Sequence, residues 1–197
     1  GLNQSRAHPR PPSGEAPLVT NHEGRKPALW LYSKEPEIRK IILKSFYGEN
    51  EAALLVGFCE MINKWTNSDE QKYLCAHNGK EFDFPWIARR YLINGMLPPA
   101  PFQMFGKKPW EVPHIDTMEL WKFGDYKSFV SLELLAHVFG IPTPKDDIDG
   151  SMVSSIYYIE KDLQRIVDYC EKDVLTLANI FRRMRQEDLL KRNINLD

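Results

Sequence analysis

Short β-rich runs open the apolar part of this 197-residue chain, helical and strand-like runs then alternate, and a long amphipathic repeat closes it. That order predicts an α/β sandwich around a mixed sheet flanked by helices. The alternation is clearest over 49–94. Ala52, Leu55, Val56, Cys59, Ile62 and Trp65 recur at helical spacing. The buried-strand pattern Tyr73-Leu74-Cys75-Ala76 follows, and a second helical stretch begins at Phe84.

Residues 1–26 are rich in Pro, Ser, Asn and charge, and Pro9, Pro11, Pro12 and Pro17 deny them regular structure. They read as a flexible, linker-like segment before a domain over 27–197. The chain begins at Gly1 rather than Met, which suggests a processed or engineered start. The apolar runs 28–32 and 38–46 flank the turn-like Lys34-Glu35-Pro36-Glu37, which predicts a hairpin. Phe84 to Asn94 reads as a helix with Pro85 in its first turn and Gly95 as its C-terminal cap. Residues 97–113 are dense in Pro and aromatics and read as irregular, and His114-Ile115-Asp116-Thr117 ends a strand. Ser131 caps a helix that Gly140 closes, and 141–150 is a loop carrying Asp146, Asp147 and Asp149. The last helix is predicted over about 160–185, with Leu163, Ile166, Val167, Cys170, Val174, Leu177 and Phe181 on its inner face.

Lys and Arg number 26 against 27 Asp and Glu, for a formal net charge of −1. This balance does not exclude nucleic acid, because a local basic patch suffices to bind phosphates. Cys59, Cys75 and Cys170 are an odd number without metal-ligand spacing and read as free thiols in a reducing compartment. No apolar run approaches membrane-spanning length and no secretory segment is visible, so a cytoplasmic protein without a membrane partner is expected.

Two stretches carry the chemistry. In Asn78-Gly79-Lys80-Glu81-Phe82-Asp83 a strand ends, glycine permits a tight turn and a helix begins. Phe82 is expected to pack inward, and Asp83 to stand near the positive end of the helix, where a carboxylate is favoured. A plain helix N-cap accounts for Asp83 taken alone. In Tyr169-Cys170-Glu171-Lys172-Asp173 the tyrosine and the second acid are four apart, hence on one helix face. Asp173 can then ligate a cation while Tyr169 orients a water, although a surface carboxylate beside a half-buried tyrosine also fits that spacing.

In this order, with these elements around them, the two stretches place about 28–184 in a known company: the chain resembles the DEDD superfamily of 3′→5′ exonucleases, tyrosine subtype. It is especially similar to predicted exonucleases related to the proofreading domain of B-family DNA polymerases. Supporting matches are His114-Ile115-Asp116, Ser131-Leu132-x-x-Leu135-Ala136 leading to Phe139-Gly140-Ile141-Pro142, and Asp147-Ile148-Asp149-Gly150. The resemblance implies a ribonuclease H-like fold and hydrolysis of the terminal phosphodiester at the 3′ end of single-stranded DNA or RNA. It implies two divalent cations, Mg²⁺ or Mn²⁺. It makes Asp83, Tyr169 and Asp173 catalytic, with Asp83 and Asp173 as metal ligands and Tyr169 placing the attacking water. Asn78 matches a polar position that orients substrate or Asp83. Asp116 matches a recurrent position outside the metal ligands and reads as structural or supporting.

One signature of that family is missing. No aspartate precedes Asp69, so the Asp-x-Glu of the family's central first strand does not occur, and neither Glu35 nor Glu37 has an aspartate two residues before it. Absence of a central strand would leave neighbouring strands unpaired, which favours a natural protein with an upstream strand outside this sequence. Loss of the motif together with catalysis, leaving a nucleic-acid-binding or scaffold module, is the alternative. Either way two cations held by Asp83 and Asp173 alone would bind weakly or not at all.

Lys80, Arg89 and Arg90 follow the second signature and are candidate phosphate contacts, although arginines on an exposed helix are more often simply solvated. Phe102, Phe105, Trp110 and Trp121, interleaved with Lys107, Lys108 and Lys122, suit base stacking or a core. His77 and His114 lack ligand spacing and read as structural. The acids at 146, 147 and 149 lack an EF-hand pattern and read as a capped turn.

Overall fold

The computed structural model describes residues 30–32, 40–41, 43–67, 72–142 and 148–192. Residues 1–26, the turn at Lys34 to Glu37, and Asp146 and Asp147 lie outside them.

The architecture is mixed α/β. Strand β1 (Trp30–Tyr32) is followed by β2 (Lys40–Ile41), helix α1 (Glu51–Thr66), β3 (Tyr73–Ala76) and α2 (Asp83–Ile93). After an irregular stretch come β4 (Ile115–Asp116), α3 (Thr117–Lys122), α4 (Leu132–Val138) and α5 (Val153–Ser155). A π-helical turn over Ile156–Glu160 leads to α6 (Leu163–Met184) and β5 (Lys191–Arg192).

Among the described residues the predicted hairpin does not form. β1 pairs antiparallel with β3, with Leu31 opposite Leu74, while β2 pairs parallel with β5 in a second small sheet. Neighbouring apolar runs declare strand character but not a partner, and the buried β3 offers β1 a better-covered edge. β3 also pairs parallel with β4, Ala76 opposite Asp116. It is therefore flanked on both sides, and the unpaired neighbour expected of a sheet lacking its first strand is not found at β3.

β3 is the centre of the sandwich because its side chains alternate between two covered faces. Leu74 and Ala76 pack with Leu55 and Ile62 of α1 and Phe84, Ile87 and Tyr91 of α2. Cys75 packs on the opposite side with Leu177 and Phe181 of α6. A further cluster joins Met118, Val130, Leu135 and Ala136 to Ile180 of α6. Local caps fix the helix starts: the Asn50 side chain accepts from Ala53 N–H, Ser131 Oγ from Leu134 N–H, and Asp162 from Arg165 N–H.

Two local expectations need correction, and a third that was left open is decided. Phe82 is only half-buried, and the ring that enters the core is Phe84. Residues 117–122 are helical because Asp116 caps them, its carboxylate accepting from Met118 N–H and Glu119 N–H. Phe102 is buried in the core, the half-buried Trp121 packs edge-on against Phe139 at 5.7 Å, and Phe105 and Trp110 are exposed.

Candidate active site

The site begins where β3 ends. Asn78 takes φ 61°, a left-handed conformation that asparagine tolerates better than most residues. Gly79 comes next because nothing larger fits: a Cβ there would lie 2.2 Å from Ala76 Cβ and 3.2 Å from the Phe84 ring. The turn then closes through Phe82 N–H to Asn78 O at 3.1 Å and Phe84 N–H to Gly79 O at 2.9 Å.

Asp116 holds this turn from the adjacent strand. Its carboxylate accepts from Asn78 N–H at 2.9 Å and from Lys80 N–H at 3.1 Å, while also capping α3. One buried side chain thus locks the β3–α2 turn to the β4–α3 junction. Asp83, the first residue of α2, emerges from the turn only 4% exposed. Asp83 is not the N-cap of α2; Phe82 occupies that position and makes no side-chain cap.

The opposite wall comes from α6. Tyr169 and Asp173 are one turn apart, both half-buried, and Tyr169 packs on the cluster of Ile148, Val153, Ile156 and Ile166. Glu171, between them in sequence, accepts from Ser45 Oγ at 2.7 Å and is not among the cleft-lining residues.

Asn78, Asp83, Tyr169 and Asp173 line one cleft of about 500 Å³. Phe82, Met118, Phe129 and Val130 give it apolar walls, and His77 joins them. The His77 ring bridges Thr117 Oγ1 at 2.9 Å through Nδ1 and Val130 O at 2.8 Å through Nε2. Burial lowers its pKa, with the Val130 hydrogen bond and Asp116 opposing, and favours the neutral ring. The carbonyl can only accept, so Nε2 carries the proton, and the Thr117 hydroxyl faces both Nδ1 and Ala76 O, the latter at 3.3 Å. His77 therefore ties the Phe129–Ser131 lip of the cleft to the end of β3.

The other sequence candidates lie elsewhere. Lys80 Nζ pairs with Glu119 at 2.8 Å. Arg90 clamps the buried Glu51 at the start of α1, where Asn94 also donates to Glu51 at 3.0 Å. Arg89 is exposed, and none of the three lines the cleft. His114 sits edge-on to Phe84 and bonds Pro101 O at 2.7 Å, a structural position. Asp149 closes a turn by accepting from Ser151 N–H and Oγ–H. None of the three cysteines is in a disulfide; Cys75 is buried and the others are half-buried. Sequence reasoning passed over Phe129 and Val130, which carry no periodic signal; the only hint was the aromatic and lysine density after Trp121.

Among the described residues no group of three or more His, Cys, Asp or Glu is placed to hold a metal ion. Asp83 and Asp173 put two carboxylates on one cleft, donors of the hard-oxygen type that Mg²⁺ and Mn²⁺ take together with water and substrate phosphate. No helix among the described residues is long and apolar enough to cross a membrane.

A family model described as a predicted 3′–5′ exonuclease related to the exonuclease domain of PolB matches residues 31–193. No curated protein and no solved structure matches the chain.

Proposed function

The chain belongs to this family of predicted 3′–5′ exonucleases, and on that footing we propose that its cleft receives the 3′ end of a single-stranded nucleic acid, DNA or RNA, with Asp83, Tyr169 and Asp173 at the terminal phosphodiester. The tyrosine-subtype, ribonuclease H-like reading belongs to the same proposal. Its chief support is that the turn after β3 and the face of α6, remote in sequence, meet in one acidic, aromatic-walled cleft.

The residues divide the work. Asp83 and Asp173 present hard oxygen donors, Asp83 from a buried position that a bare phosphate would avoid. A bound Mg²⁺ or Mn²⁺ would neutralise phosphate charge and lower the pKa of a water. In this reading the Tyr169 hydroxyl, one turn before Asp173, would hold that water by hydrogen bonding, and Asn78 would orient Asp83 or the terminal nucleotide. The sequence contains no Asp-x-Glu, so these residues by themselves hold a cation weakly, and the 197 residues bind a strand end better than they cut it.

The alternative reading is a non-catalytic nucleic-acid-binding or scaffold module on this fold. One titration separates the two. Affinity for a fluorescent single strand is measured with and without Mn²⁺, for the wild type and for Asp83→Asn/Asp173→Asn, alongside release of a 3′ label. Mn²⁺-strengthened binding that disappears in the double variant supports the exonuclease cleft. Binding indifferent to Mn²⁺ and to both substitutions supports the module and removes the exonuclease reading.

A further inference from the structure

The connection between α3 and α4 leaves three aromatic rings in water: Phe123 at 93%, Tyr126 at 89% and Phe129 at 70% exposure. Scattered exposed apolar residues are ordinary, but three rings in one short turn at the edge of a cleft are not. The turn is well held. Asp125 N–H donates to Lys122 O at 2.7 Å, Ser128 N–H to Asp125 O at 3.3 Å, and Lys127 N–H to Asp125 Oδ1 at 3.0 Å. Phe123 (φ 44°) and Gly124 (φ 90°) turn the chain sharply. At its start Trp121 is pinned against Phe139, and at its end His77 grips Val130 O. The rings thus project from a fixed support.

Charge accompanies them. Lys122 Nζ lies 4.4 Å from the centre of the Phe129 ring, and the exposed Lys127 sits between Tyr126 and Phe129 in sequence. Phe129 also lines the cleft that holds Asp83 and Asp173, so turn and cleft form one continuous surface.

We propose that the turn 122–129 is a platform on which unpaired bases of a single strand stack, with Lys122 and Lys127 meeting its phosphates. The proposal rests on the strand-end reading of the cleft and extends it to the nucleotides 5′ of the terminal one. Stacking suits this surface because every base offers a π-face, and flanking cations add phosphate attraction and cation–π contact. The cleft lining holds no Lys or Arg among the described residues, so phosphate attraction must come from beside it. A second copy of the chain is a poorer occupant: a stable interface needs roughly 1,200 Å² or more, and the lysines here attract a polyanion. The platform should be sequence-tolerant and should exclude paired bases.

The test is fluorescence anisotropy with a 5′-labelled twelve-nucleotide oligothymidylate and a duplex of equal length, with and without Mn²⁺. Phe123→Ala/Tyr126→Ala removes two rings that support no core. The expected result is a loss of single-strand affinity of roughly tenfold for each base that stacks, about a hundredfold when both rings carry one, with Phe123→Trp/Tyr126→Trp retaining binding. Lys122→Gln should lower the salt slope of binding by about one. Wild-type-like affinity in the alanine variant overturns the platform whatever Mn²⁺ does, as does preference for duplex or failure of the wild type to bind the single strand. A dimer that dissociates in the alanine variant while single-strand affinity is unchanged reassigns the patch to a second copy. Loss of affinity in the alanine variant, with no Mn²⁺ effect on the wild type, keeps the platform and removes the exonuclease reading instead.

Discussion

Asp116→Asn should destabilise the protein out of proportion to the one atom it changes. The wild-type Oδ1 accepts from Asn78 N–H at 2.9 Å and Met118 N–H at 3.0 Å, with Glu119 N–H at 3.4 Å, and Oδ2 accepts from Lys80 N–H at 3.1 Å. An amide keeps only one acceptor. With its oxygen in the Oδ1 position, its NH₂ faces the Lys80 N–H, donor against donor; the flipped amide loses more bonds. Losing a hydrogen bond to a charged group is worth about 1.5–3 kcal/mol, and a buried donor left unmet about 1–3 kcal/mol. The net expectation is a loss of about 3 kcal/mol, or roughly 6–12 °C in Tm for a domain of this size. Urea unfolding followed by circular dichroism reads the first quantity, and a thermal scan the second. Amide hydrogen exchange at Asn78 and Lys80 should accelerate more than at α1. A variant within about 0.5 kcal/mol of wild type, with unchanged exchange at those amides, refutes the account of Asp116 as the clamp of the turn.

Gly79→Ala should cost about 2–4 kcal/mol through steric overlap with Ala76 and weaken single-strand binding by displacing Asp83; unchanged stability and affinity would contradict that geometry. Arg90→Met should lower stability by about 3–5 kcal/mol because Glu51 stays buried without its cation, yet leave strand affinity alone, so a selective loss of binding would restore Arg90 to the substrate. Both His77 and His114 have pKa values lowered by burial, so the unfolded chain binds more protons below about pH 6.5. Their contribution is fully present above that pH and is lost as pH falls from there through the folded-state values. Urea midpoints at pH 7.5 and 5.5 measure the decline, and an identical decline in His77→Gln/His114→Gln would assign it to other groups.

The candidate site was partly legible from local chemistry. Asn78 and Gly79 stood out because a strand was followed at once by a tight turn, and Tyr169 with Asp173 because i, i+4 spacing fixes a common helix face. Lys80, Arg89 and Arg90 could not be judged that way. Their charges are answered or exposed according to Glu119, Glu51 and solvent, which lie far away in sequence or outside it. Phe129 was hidden for the converse reason: a ring that follows no repeat gives no sign of whether it faces core, cleft or water.

Helices α1, α2, α4 and α6, the Ser131 cap, the buried character of β3 and the absence of Asp-x-Glu could be read from the sequence. Those features are set by periodicity and by hydrogen bonds spanning a few residues. Only the tertiary structure decided that β1 pairs with β3 rather than closing a hairpin, and that Asp116 grips the turn before Asp83. It alone showed that Phe129, at the end of the 122–129 turn, lines the cleft. A strand edge accepts any suitable partner, and a carboxylate any donor within reach, so these choices are made by contacts between distant residues once the core closes.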